Sequence, residues 1–105
     1  MISANVSNPM RKAVYRRDHF RCVLCDGTDG LQIHHAIPRG EGGASTAQNL
    51  VTLCWRCHAF IHSGKMWSIG DDWTSADAAQ MCVEYLADMY TDDRHVWNPW
   101  EKGPP

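Results

Sequence analysis

The chain has no long apolar run. Its longest uninterrupted hydrophobic stretch is a few residues, far short of the roughly 20 that a membrane-spanning helix needs. The N-terminus, MISANVSNPMRK, lacks the charged region followed by an apolar stretch that marks a secretory leader. Internal repeats and low-complexity tracts are absent, and so are the glycine-rich P-loop and the nucleophile elbow of serine hydrolases. These absences predict a soluble, cytoplasmic protein, of a bacterium or a phage-infected host cell, without a membrane partner. At 105 residues, 44% hydrophobic and 21% charged, the chain suits one small folded domain and excludes wholesale disorder.

Charge is scarce overall, at −2, but unevenly spread. Residues 1–70 hold 8 Lys and Arg against 4 Asp and Glu, whereas residues 71–105 hold 2 against 8. The first half can face phosphates; the second would be repelled by them. Arg11, Lys12, Arg16, Arg17 and Arg21 place five positive charges within eleven residues, against Asp18 alone. A helix decorated in this way is a candidate contact for the DNA backbone, which positions a protein without reading sequence; the alternative is a solvated helix face. The acidic half, with Asp71, Asp72, Asp77, Glu84, Asp88, Asp92 and Asp93, is expected to pack through its apolar face or to meet a protein partner.

What the chain does have is cysteine. Cys22 and Cys25 form one CxxC pair and Cys54 and Cys57 a second, with 28 residues between the pairs. Two such knuckles bring four thiolates into reach of one tetrahedral Zn²⁺. Two disulfides would require an oxidising compartment, and a thioredoxin-like role would require one CxxC beside a βαβ pattern. Cys82 stands apart, among Met81, Tyr85, Leu86 and Met89, and reads as core.

Asn8-Pro9 reads as an N-cap followed by proline at the first helical position, opening a short helix to about Asp18, with Ala13, Val14 and Phe20 inward and the basic residues solvated. Residues 1–8 read as a loose tail. Leu31–His34 alternates like a strand, PRGEGGA over 38–44 is a glycine-rich loop, and Asn49–Leu53 is a second strand. A helix over Arg56–Ser63 is expected to stop at Gly64. Thr74 or Ser75 caps a longer helix to about Tyr90, with Ala78, Met81, Cys82, Tyr85, Leu86 and Met89 on one face. Trp97 and Trp100 sit in a tail over 91–105 that either docks a partner or folds back.

Four of the six histidines lie within the cysteine unit. His58 and His62, four apart on a helix, project from one face and can share an ion. His34 and His35 are neighbours on a strand, so their side chains diverge. One can join a metal site while the other stands beside it as a general base. Three imidazoles suit a transition metal with open positions for water and substrate. A non-catalytic zinc module would use the cysteines equally well and leave the histidines and Asn49 unexplained.

The run CVLC, IHHAIPRGEGG and QNLVTLCWRCHAFIH over about residues 11–63 resembles the HNH endonucleases of the ββα-metal class, in the form with two CxxC pairs. The resemblance implies a small α+β fold. Its ββα-metal core over 9–64 would be stapled by a four-cysteine zinc site and flanked by a basic N-terminal and an acidic C-terminal helix over 74–90. It implies that His35 is the general base, that His34 and His58 are metal ligands with His62 as a third, and that Asn49 holds the loop between the strands. It implies DNA as substrate and one catalytic divalent ion, with Mg²⁺, Mn²⁺, Ni²⁺ and Zn²⁺ all left open. Arg39 in the loop and Arg56 in the second knuckle are candidate phosphate clamps; the alternative for either is a solvated surface residue. Weak sequence specificity is expected from so small a surface, and a phage-encoded role by analogy.

Overall fold

In the computed structural model, described here for residues 6–63 and 74–101, a short basic helix precedes an antiparallel hairpin, and two further helices follow. Helix α1 spans Asn8–Arg17. Its N-cap is Ser7, one residue earlier than expected, whose hydroxyl accepts the Met10 amide at 3.2 Å; Asn8 and Pro9 are its first two residues. Val6 is buried with Val14 and Leu50, so the end of the predicted loose tail is tied down. After Asp18 the chain takes two consecutive left-handed residues, His19 and Phe20, at φ 60° and 57°. That reversal turns Phe20 outward to 56% exposure, and Ala13 is exposed as well. Both had been expected inside.

Strands β1 (Gln32–His35) and β2 (Leu50–Leu53) pair antiparallel, with His34 opposite Val51 and His35 opposite Leu50. All four β2 residues are buried, because the strand is covered on both faces. Leu50 packs with α1, while Val51 and Leu53 join Cys22, Cys54, Cys57, Cys82 and Leu86. Asn49 lies in a 3₁₀ turn, Ala47–Asn49, just before β2 rather than in it.

Helix α2 spans Trp55–Ser63 and α3 spans Ser75–Tyr90. Thr74 and Asp77 form a reciprocal capping box at the start of α3, at 3.1 Å in each direction. The buried stripe of α3 is Ala78, Cys82 and Leu86. Met81 and Met89 stay 43% and 42% exposed, so the apolar face is narrower than its periodicity suggests. Cys82 is core, its thiol pKa pushed up to about 12 by burial. The predicted stop at Gly64, and Asp71 and Asp72, lie outside the described residues. No described helix is long and apolar enough to cross a membrane.

The tail folds back. Trp97 Nε1 donates to the Gln48 carbonyl at 2.5 Å, and the Ala44 amide donates to the Pro99 carbonyl at 2.8 Å. Pro99 is buried.

Candidate metal centres and active-site cleft

The two knuckles close on one another. The Sγ atoms of Cys22, Cys25, Cys54 and Cys57 all lie within 4.8 Å of one another, and those of Cys25 and Cys54 are 3.6 Å apart. Four thiolates about 2.3 Å from one tetrahedral ion stand about 3.8 Å apart, so the cluster fits zinc. All four cysteines are free of disulfides. Amides of Gly27 and Cys57 donate to Cys25 and Cys54 sulfur at 3.4 and 3.5 Å, which suits thiolates better than thiols. A hydrogen bond from Cys57 lowers the Cys22 pKa to about 5 and raises that of Cys57, so one member of the set ionises readily.

The second cluster is imidazole. One ligand nitrogen each from His34, His58 and His62 lies within the same 4.8 Å limit. His58 and His62, four apart on α2, bring their Nε2 atoms to 3.0 Å. Two nitrogens about 2.1 Å from one ion stand about 3.0–3.4 Å apart between a right angle and the tetrahedral angle. His58 Nδ1 is engaged by Gln32 Oε1, which leaves the Nε2 lone pair for an ion and fixes the ring. His34 Nε2 is buried and makes no hydrogen bond, an orphaned atom that a metal would satisfy. Burial first, then the neighbouring histidines His58, His62 and His35, push the His34 pKa down to about 3. Burial and His62 lower His58 to about 4. Both rings are therefore neutral near pH 7, as ligands must be. The residues present fit a divalent transition ion.

His35 diverges from His34, as the strand period requires. Its Nε2 lies 3.0 Å from Ser45 Oγ, and burial, followed by the charge of Arg39, lowers its pKa. His34, His35, His58, His62, Arg11 and Arg39 line one cleft of about 970 Å³.

Asn49 stands outside that cleft lining, fully buried. Its side chain accepts the Ile37 amide at 2.7 Å and donates to the Ile37 and Ala44 carbonyls, both at 2.9 Å. It thus fastens both ends of the glycine-rich loop. Asn49 is therefore a positioning residue, in the loop-holding place that the resemblance implies for it. Gly43 shares this constraint: a Cβ there would come 1.9 Å from the Ile37 oxygen.

The basic candidates divide. Lys12 and Arg16 are exposed on α1, outside the cleft lining. Arg56 is exposed at the start of α2, its guanidinium 5.3 Å from the Trp55 ring centre. Arg17 is not a surface cation. It reaches inward to both Asp18 carboxylate oxygens at 2.8 and 2.9 Å, to the Ala47 and Leu50 carbonyls at 2.7 and 2.6 Å, and to Tyr90 Oη at 3.2 Å. Asp18 also accepts the Thr52 amide at 2.9 Å and Tyr85 Oη at 2.6 Å. Arg17 is spent on structure, which corrects its expected place among the DNA-backbone contacts. Sequence reasoning also missed Gln32 and Ser45. Asp18, the single acid in a basic run, was the one available signal for the Arg17 network.

Comparison with known proteins gives three findings. Residues 22–64 match the family model described as HNH endonuclease. Anaredoxin of Nostoc sp. (strain PCC 7120) is 35% identical over 57 residues, 53% of this chain and 75% of the relative. The type IV methyl-directed restriction enzyme EcoKMcrA of Escherichia coli (strain K12) is 48% identical over 70 residues, 57% of this chain but only 25% of that enzyme. No solved structure matches the chain significantly.

Proposed function

The chain belongs to the HNH endonuclease family, and from that premise we propose that it hydrolyses phosphodiester bonds of duplex DNA with one divalent metal ion and His35 as general base. The observation that carries this reading is the convergence of His34, His58 and His62 on one point beside His35, in a single cleft. His34, His58 and His62 would hold the ion, which when bound supplies Lewis acidity at the phosphate and the departing oxygen. His35 takes a proton from water, the water oxygen attacks phosphorus in line, and the bond from phosphorus to the 3′ oxygen breaks. Arg11 and Arg39, on the cleft walls, are placed to bind phosphate oxygens. Lys12 and Arg16 extend the basic surface along α1 toward the flanking backbone.

Sequence preference is proposed to be weak. Single recognition modules bury only about 600–1,000 Å², and the similarity to the methyl-directed enzyme spans a quarter of its length. Targeting is then left to an element outside the matched segment or to a protein partner, with the acidic α3 face as the candidate surface.

The test is cleavage of supercoiled plasmid by wild type and His35→Ala, with Mg²⁺, Mn²⁺, Ni²⁺ or Zn²⁺ supplied in turn. Metal-dependent nicking is expected from wild type, with a loss of at least about 100-fold in the variant at unchanged fold and zinc content. Undiminished cleavage by His35→Ala would remove it from the base role.

A further inference from the structure

Ser45 carries no signal in the sequence, yet its hydroxyl oxygen is 3.0 Å from His35 Nε2. The loop delivers it from a fixed backbone. Ala44, just before it, is held on both sides, its carbonyl by Asn49 Nδ2 at 2.9 Å and its amide by the Pro99 carbonyl at 2.8 Å. Thr46, just after it, accepts the Asn49 amide at its carbonyl at 2.9 Å and donates through its hydroxyl to the Glu101 carbonyl at 3.4 Å. Two anchors therefore flank Ser45, and its own side chain is left to meet the histidine.

We propose that Ser45 is the positioning residue for His35: its Oγ accepts the Nε2 proton, which fixes the tautomer carrying a lone pair on Nδ1 and aims that nitrogen at the attacking water. The inference rests on His35 acting as the base. A histidine tied at one nitrogen is set in one tautomer and one ring orientation. Serine suits this task because Nε2–H is present in both the neutral ring and the imidazolium, so the bond survives proton transfer. In the step, Nδ1 gains the water proton, the water oxygen bonds to phosphorus, and the 3′ oxygen leaves with the electron pair and is protonated from solvent. The imidazolium then returns its proton to solvent, and the hydroxyl of Ser45 is chemically unchanged throughout.

Removing the hydroxyl leaves the anchors at Asn49, Gly43 and Pro99 untouched, so Ser45→Ala should fold. The experiment compares steady-state cleavage of a short duplex with Mn²⁺ by wild type, Ser45→Ala, Ser45→Thr and His35→Ala, with melting temperatures alongside. Ser45→Ala is expected to lose about 10–100-fold in kcat with KM and melting temperature unchanged, and Ser45→Thr to recover most of the rate. A wild-type kcat in Ser45→Ala, with His35→Ala inactive, overturns this inference alone. So does a loss confined to KM or to stability. Full activity in His35→Ala overturns the base assignment beneath it.

Discussion

At the scale of single residues, the side chain that departs furthest from its sequence reading is Arg17. A guanidinium on a basic helix reads as solvated, because that is the cheapest place for it. Only the closed fold brings Asp18, two carbonyls at and before the start of β2, and Tyr90 around it. Asp18 in turn holds a β2 amide and the Tyr85 hydroxyl, whose pKa rises to about 12 through burial and that bond. Truncating one partner leaves the other as a buried, uncompensated charge. Asp18→Ala is therefore expected to lower unfolding free energy by about 3–5 kcal/mol, read as a shifted urea midpoint at unchanged slope. A loss under about 1 kcal/mol would mean the network is no better than an exposed pair. His34, His35, His58 and His62 were legible for the opposite reason: their chemistry is rare and their spacing fits the strand and helix periods. Ser45 and Gln32 were not, since a serine in a loop and a glutamine on a strand are ordinary there.

At the scale of elements, the hairpin is unusual in its connection. Common hairpin loops run about two to five residues, whereas here β1 ends at His35 and β2 begins at Leu50. Such a loop would have many conformations without the Asn49 clamp and the close approach at Gly43. The glycines announced a tight loop in the sequence, but which of them is indispensable depends on where the Ile37 carbonyl lies, and that is tertiary information. Gly43→Ala, whose Cβ would sit 1.9 Å from that oxygen, must push the loop off its clamp. It should cost about 1–3 kcal/mol or more and abolish cleavage, with the helical circular dichroism retained. Wild-type melting and activity would show that the loop yields cheaply. The α3 stripe teaches a related lesson: periodicity identifies the face that points inward, while the width of that face is set by how much of it the sheet and α2 cover.

At the scale of the molecule, two devices close the fold. The four-cysteine cluster ties the segment after α1 to the start of α2, and the tail from Trp97 to Glu101 lies along the loop and its 3₁₀ turn. The cluster was readable from spacing alone. The tail was not, because a tryptophan near a terminus docks equally well on a partner or on its own domain until a specific acceptor, here the Gln48 carbonyl, is in place. Core burial in a chain this small is modest, and zinc binding in small domains supplies about 10–16 kcal/mol against a typical total stability of about 5–15. Stripping the proposed zinc with a strong chelator is thus expected to abolish the cooperative thermal transition, and zinc, added back at one equivalent per chain, to restore it. A transition that survives complete zinc loss would place the stability in the hydrophobic core instead.

The register of the hairpin has a chemical consequence. Successive strand residues face opposite ways, so moving β1 by one position against β2 would exchange the directions of His34 and His35. The proposed ligand and the proposed base are the same amino acid. Nothing in either side chain distinguishes them; parity along the strand does. The complete burial of β2 then has a role beyond cohesion, since Leu50 and Val51, held in separate clusters, fix the strand against which β1 takes its register. Hydrophobic packing on one strand assigns reactivity on the other.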